Sequence, residues 1–295
     1  MATLFGKKIK DTYKGLLKTF ENQELDATLQ DITDGIGQAV GIKVSTGDAI
    51  ELTKRVDQVI NGGNTLFGRY AGSGLVGKNG GNAVFGFQAL SGTGNIANHV
   101  AIGSYSQQNS TGGKFGNTSV GAYSLREYTG ENGGNVAIGN SSQEAANSAN
   151  EGQNTSVGHE SLFSNQNAFN TAIGAECLRN NTEGGSNVGV GAQALASVTT
   201  GVENVAIGKN AGGNMDVGGK NTLLGHSAIL QSVDDSRTIV IGHNAVGQGS
   251  NTAVIGDINI SELHLMKPNA AIVLRSADGT VYSITVKNDG SLFVT

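Results

Sequence analysis

The chain has 295 residues, a formal net charge of −5, only 15% charged residues, 46 Gly and one Pro. Ordinary globular chains carry about 25% charged residues and about 7% Gly, and a nucleic-acid-binding face needs more concentrated basic charge than Lys7-Lys8-Lys10. The single Cys, Cys177, argues against a disulfide framework or Cys-rich zinc site, and no run of about 18 apolar residues offers a membrane span.

The first 62 residues hold 8 of the 19 Lys and Arg. Their opening, "MATLFGKKIKDTYKG", has no apolar core of the kind a secretion signal needs. Ile42 and Val44, then Ile50 and Leu52, alternate on either side of Ser45-Thr46-Gly47-Asp48, which predicts a hairpin. As a domain, residues 1–62 read either as an attachment module or as a cap on the repeats that begin at residue 63.

Residues 63–262 repeat one short phrase. Its marker glycines are Gly68, Gly86, Gly103, Gly121, Gly139, Gly158, Gly174, Gly191, Gly208, Gly225, Gly242 and Gly256, at intervals of 18, 17, 18, 18, 19, 16, 17, 17, 17, 17 and 14. The residue before each marker is apolar, as at Ile207 and Leu224. The residue three after it is small through Ala245 and becomes Asn259 in the last copy. Most phrases open with Asn, from Asn64 to Asn221.

A strand of about four residues, a glycine corner and a second apolar step make one coil of a parallel β-solenoid. The markers predict about twelve such coils of some 17 residues. Positions −3 and −1 share a face of the strand, and the −1 column is expected to form a dry internal ladder. The Asn residues are expected to stack as a side-chain ladder. So thin a coil encloses little volume, and its remaining apolar face is expected to pack on copies of itself.

Beyond Pro268, the segments 271–275, 280–286 and 291–295, separated by Gly turns, predict a three-stranded meander in a carboxy-terminal unit, residues 263–295.

Stacking makes equivalent positions of adjacent coils neighbours, so candidate chemistry is sought in columns. Glu160 and Glu176 form a possible carboxylate pair, against the plainer reading of two solvated side chains. His226 and His243, with Asp257, form a weak metal candidate, and His264 is another if symmetry mates bring it to an axis. No metal is assigned, no cofactor is implied and no nucleophile, P-loop or zinc-hydrolase signature occurs. Tyr105, Tyr123 and Tyr128 are candidate contacts for a sugar or protein, beside longer coils that place a host contact between about Ser104 and Gln153. A ladder of rings that only stabilises the sheet competes with that reading. Cys177 fills the small slot and reads as packing.

The phrases "NVAIGKNA", "NTAIGAECL" and "NVGVGAQAL" resemble the head repeats of trimeric autotransporter adhesins and matching repeats of bacteriophage fibre proteins, over about Asn64 to Ile260. Both end segments look like those of phage tail or fibre proteins, and no anchor of the autotransporter kind is evident. The resemblance implies a homotrimeric, non-enzymatic virion fibre, joined to other virion proteins by residues 1–62 and projecting towards a host glycan or protein. It would not insert into a membrane. A head fibre, decoration or collar protein is the alternative, and a polysaccharide-degrading tailspike a more distant one.

Overall fold

The computed structural model describes residues 30–33, 39–44, 50–52, 63–75, 80–92, 96–111, 116–146, 152–262, 271–286 and 291–294. Among them there is no helix; the chain is all-β around a parallel β-solenoid. Strands β1 (Gln30–Thr33), β2 (Ala39–Val44) and β3 (Ile50–Leu52) form a small antiparallel sheet. The expected hairpin is there, with Ile42 opposite Leu52 and Val44 opposite Ile50; β1 was not foreseen.

Twelve three-residue strands come next: β4 (Thr65–Phe67), β5 (Ala83–Phe85), β6 (Val100–Ile102), β7 (Thr118–Val120), β8 (Val136–Ile138), β9 (Thr155–Val157), β10 (Thr171–Ile173), β11 (Val188–Val190), β12 (Val205–Ile207), β13 (Thr222–Leu224), β14 (Ile239–Ile241) and β15 (Ala253–Ile255). They pair in sequence order into one parallel sheet, each phrase in register with the next: Val205 lies opposite Thr222 and Ile207 opposite Leu224. At about 4.8 Å per strand the sheet is about 53 Å long. A final antiparallel sheet joins β16 (Ala271–Arg275), β17 (Val281–Val286) and β18 (Leu292–Val294), in the expected order.

Each marker glycine turns the chain out of its strand. In eleven of the twelve, φ lies between +128° and +144°, a region open only to glycine. The coils also touch there: a Cβ on Gly208 would stand 2.6 Å from the carbonyl carbon of Gly225. Two residues past the marker the chain is left-handed again, although residues such as Tyr105, Glu160 and Gln193 occupy that place. Backbone bonds to both neighbouring coils hold the corner, among them Gly225 N–H to Ile207 O (2.9 Å) and Gly212 N–H to Ala228 O (2.8 Å).

The Asn column is a ladder with a defined polarity. Asn187 Oδ1 accepts the backbone N–H of Asn204, and Asn204 Oδ1 that of Asn221, both at 3.0 Å. Most of the amide nitrogens reach a carbonyl in the turn of the next coil, as from Asn204 Nδ2 to Gly218 O (2.9 Å) and from Asn221 Nδ2 to Asp235 O (2.8 Å). An amide offers its acceptor and its donors on two separate atoms, which a carboxylate cannot do and a hydroxyl does only through one atom.

One expectation is reversed. The middle residue of the strand, position −2, faces the coil interior, and positions −3 and −1 face outward. Ala206 is fully buried while Ile207 is 41% exposed. The interior is too narrow for a branched side chain at every strand. It holds mostly Ala, Ser or Gly at −2, a small residue at +3, and Leu at +4 where space allows. Size, rather than polarity, sorts the two faces.

The described interior is divided along its length. Apolar clusters run from Ala71 to Ala101, from Leu125 to Ala146 and from Leu162 to Ala245. Buried polar layers separate them. Ser106 meets Ser119 (2.5 Å) under the Gln107 amide, and Ser142 meets Ser156 (2.5 Å) under Gln143.

Candidate interaction surface

The outward face of β4–β15 contains only Val, Ile, Leu, Phe, Ala and Thr at positions −3 and −1, and none of these residues is fully buried. Ile102, Ile138, Ile173, Ile207 and Leu224 are each about two-fifths exposed, and Ile255 is 63% exposed. Phe67 and Phe85 stack in the same column at 5.3 Å. A strip three residues wide (about 10 Å) and about 53 Å long covers roughly 500 Å², as large as the largest apolar patch of a typical soluble monomer. It carries no charged side chain, and its only polar side chains are the threonines at position −3, such as Thr155 and Thr171. Gly103, Gly121, Gly139, Gly174, Gly191, Gly208 and Gly225 end their strands at the same place in each coil.

The tyrosines part company. Tyr128 is fully buried, its hydroxyl donating to Asn132 O, so it is an interior residue and offers no contact area. Tyr105 and Tyr123 stack face to face at 5.1 Å, with Phe87 perpendicular to Tyr105 at 5.3 Å and Arg126 lying over Tyr123. Both rings are half-buried and each has a further ring or guanidinium neighbour within the chain, contacts that a stabilising ladder makes. Phe87 and Tyr70 extend it, and the sequence reading missed both because Phe87 stands one position out of the column. Of the longer coils, 112–115 and 147–151 lie outside the described residues.

Glu160 and Glu176 do not form a carboxylate pair. Glu160 is bound by Arg179 Nε at 2.6 Å, which holds its carboxyl below the usual range, and Glu176 accepts from Gln193 Nε2 at 2.9 Å. His226 and His243 stack at 5.1 Å. Asp257 is instead occupied by Asn259, whose N–H and amide bonds lower its pKa. Among the described residues no group of three His, Cys, Asp or Glu side chains is placed to hold a metal ion. His264 lies outside them. Cys177 is buried in its small slot, its thiol pushed up to about 12 by burial, so it is a packing residue.

An open cavity of about 560 Å³ lies over the last coil, between Val246, Val254, Ile255 and Ile258. Asn259, which stands where earlier coils have a small residue, is among the residues that line it. Among the described residues no helix is long and apolar enough to cross a membrane. Comparisons with protein-family models, curated proteins and solved structures give no match.

Proposed function

We propose that the chain is a non-enzymatic structural subunit of a virion fibre, associating as a homotrimer through the outward face of its parallel sheet. The observation that carries this reading is the uncharged apolar strip running the whole length of β4–β15. The carboxy-terminal sheet adds to it, because Ile272, Val273 and Leu274 point to alternate faces and all three are about half exposed. A three-stranded sheet open on both sides is marginal alone and gains from partners. The resemblance of "NVAIGKNA" and its companions to fibre and adhesin repeats supplies the threefold symmetry and the virion. Residues 1–62 would join the subunit to other virion proteins. Any contact with a host glycan or protein would be spread over three copies and act through avidity.

The experiment is light scattering on the purified chain beside the double variant Ile138→Asp, Ile173→Asp. Wild type should run near three times 30.0 kDa, and the variant should lose that mass while keeping its β circular dichroism. A folded wild-type monomer at micromolar concentration refutes the association. Antibody labelling of intact particles separates a tail fibre from a head fibre or collar protein.

A further inference from the structure

We propose that the interior of the solenoid binds one ordered water molecule in the coil between Gly103 and Gly121, held by His99 Nε2, Ser110 Oγ and Asn117 Nδ2.

The starting point is an exception in the Asn ladder. His99 stands where neighbouring coils have Asn, and its backbone N–H still donates to Asn82 Oδ1 at 2.8 Å. An imidazole has no carbonyl to offer the next coil, so its ring turns to Gln107, with Nδ1 2.6 Å from Oε1. The Gln107 amide is fixed by its other bonds: Nε2 donates to Val100 O at 2.9 Å and to Ser119 Oγ at 2.8 Å. Oε1 therefore faces the ring and can only accept. Nδ1 carries the hydrogen, and Nε2 is left as a bare acceptor. Burial, which lowers the basicity of His99, keeps the ring neutral.

Two further atoms around this position are buried without partners. Asn117, next in the column, spends its Oδ1 on Asn135, from backbone N–H at 3.0 Å and from Nδ2 at 3.2 Å; its own Nδ2 donates to nothing. Ser110 Oγ is likewise unpartnered. Ser110 stands seven residues after its marker. In two other coils the side chain at that place meets the Asn opening the next strand: Asn165 Oδ1 takes Asn170 Nδ2 at 3.0 Å, and Met215 Sδ lies 3.4 Å from Asn221 Nδ2. A serine is shorter than either, and here Ser110 Oγ and Asn117 Nδ2, at the positions that bond in those coils, do not bond each other. His99 lies one coil beneath.

The three atoms are an acceptor, a donor and a hydroxyl able to play either part, all in residues with no exposed surface. That set is what one water needs: it accepts from Asn117, donates to His99, and exchanges a bond with Ser110. An anion does not fit, because Nε2 presents a lone pair.

The test is a crystal structure of the full chain at a resolution that shows ordered solvent, with ¹⁵N NMR of the His99 ring. The expected result is a density peak about 2.7–3.2 Å from all three atoms and a neutral ring protonated at Nδ1. Direct bonds among the three side chains, no peak, or anomalous density at that point after a bromide soak would each overturn the proposal. Ser110→Asn is the second arm. It copies Asn165, so it should fold, and the introduced amide should displace the peak without lowering the melting temperature. A peak that persists unchanged in Ser110→Asn also overturns it.

Discussion

Replacing Gly208 with Ala tests the corner that makes the solenoid. The added Cβ would stand 2.6 Å from both C and O of Gly225 and 2.9 Å from the His226 nitrogen. Ordinary contact between carbon atoms begins near 3.5 Å, so the two coils must part by about 0.9 Å. That separation stretches the Gly225 N–H to Ile207 O bond from 2.9 Å beyond useful length, a loss of about 1 kcal/mol. A side chain at φ +131° adds about 1–3 kcal/mol of backbone strain. With lost dispersion across the opened joint, the cost is about 3–5 kcal/mol. The control is Gly213→Ala, whose Cβ meets chiefly the end of the Asn210 side chain, at a backbone angle any residue adopts; it should cost no more than about 1 kcal/mol. Urea unfolding monitored by circular dichroism reads both. Equal midpoints for the two variants would refute the close approach of coil backbones as the reason for glycine.

Ala206→Asp should cost several kcal/mol, because Ala206 is fully buried, whereas exposed Lys209→Asp should leave the melting temperature almost unchanged. Asn204→Ala removes the acceptor for Asn221 N–H and the donor to Gly218 O, at a cost of about 2–4 kcal/mol by urea unfolding. The burial-lowered pKa of His99 means that the unfolded chain binds its proton first as pH falls. Stability should therefore be intact above about pH 6.5 and decline below it, until the folded-state pKa is reached. His99→Asn should remove that part of the pH dependence in melting curves.

The period, register and strand positions were legible because one residue type does one job in every copy. Gly68 through Gly242 all occupy a conformation only glycine tolerates, so the marker cannot drift. The Asn column was legible for a similar reason, since both its accepting and donating ends are used. The inside of the coil was not. Reading by hydropathy places Ile207 and Leu224 inward; in a strand of three residues that rule has a single alternation to work with, and width decides instead. The signal was present in the small residues at −2, which match those at +3. Tyr128 was misplaced because its coil has room for a ring where others hold Ala146 or Val198. The neighbours of Tyr105 and Tyr123 include Phe87 and Arg126, which lie in other columns and meet them through left-handed turns the sequence does not announce.

The inversion of the strand has an energetic consequence that bears on the proposed trimer. A fully buried Ile contributes about 1.5–3 kcal/mol, and Ile207 keeps 41% of its surface exposed. Covering that remainder is worth about 0.6–1.2 kcal/mol per coil, or about 5–10 kcal/mol over the eight strands of one chain whose residue before the glycine is as exposed, from Phe67 to Ile255. The stability of a whole small domain is about 5–15 kcal/mol. Association on this face would therefore contribute as much as folding does, and the two would be coupled. Oligomer stability then obeys mass action, and the melting temperature must rise with protein concentration. Calorimetry over a hundredfold dilution series reads this directly. A transition that stays at one temperature across the series would refute the coupling, and a monomer mass throughout it would leave the strip without the role assigned to it.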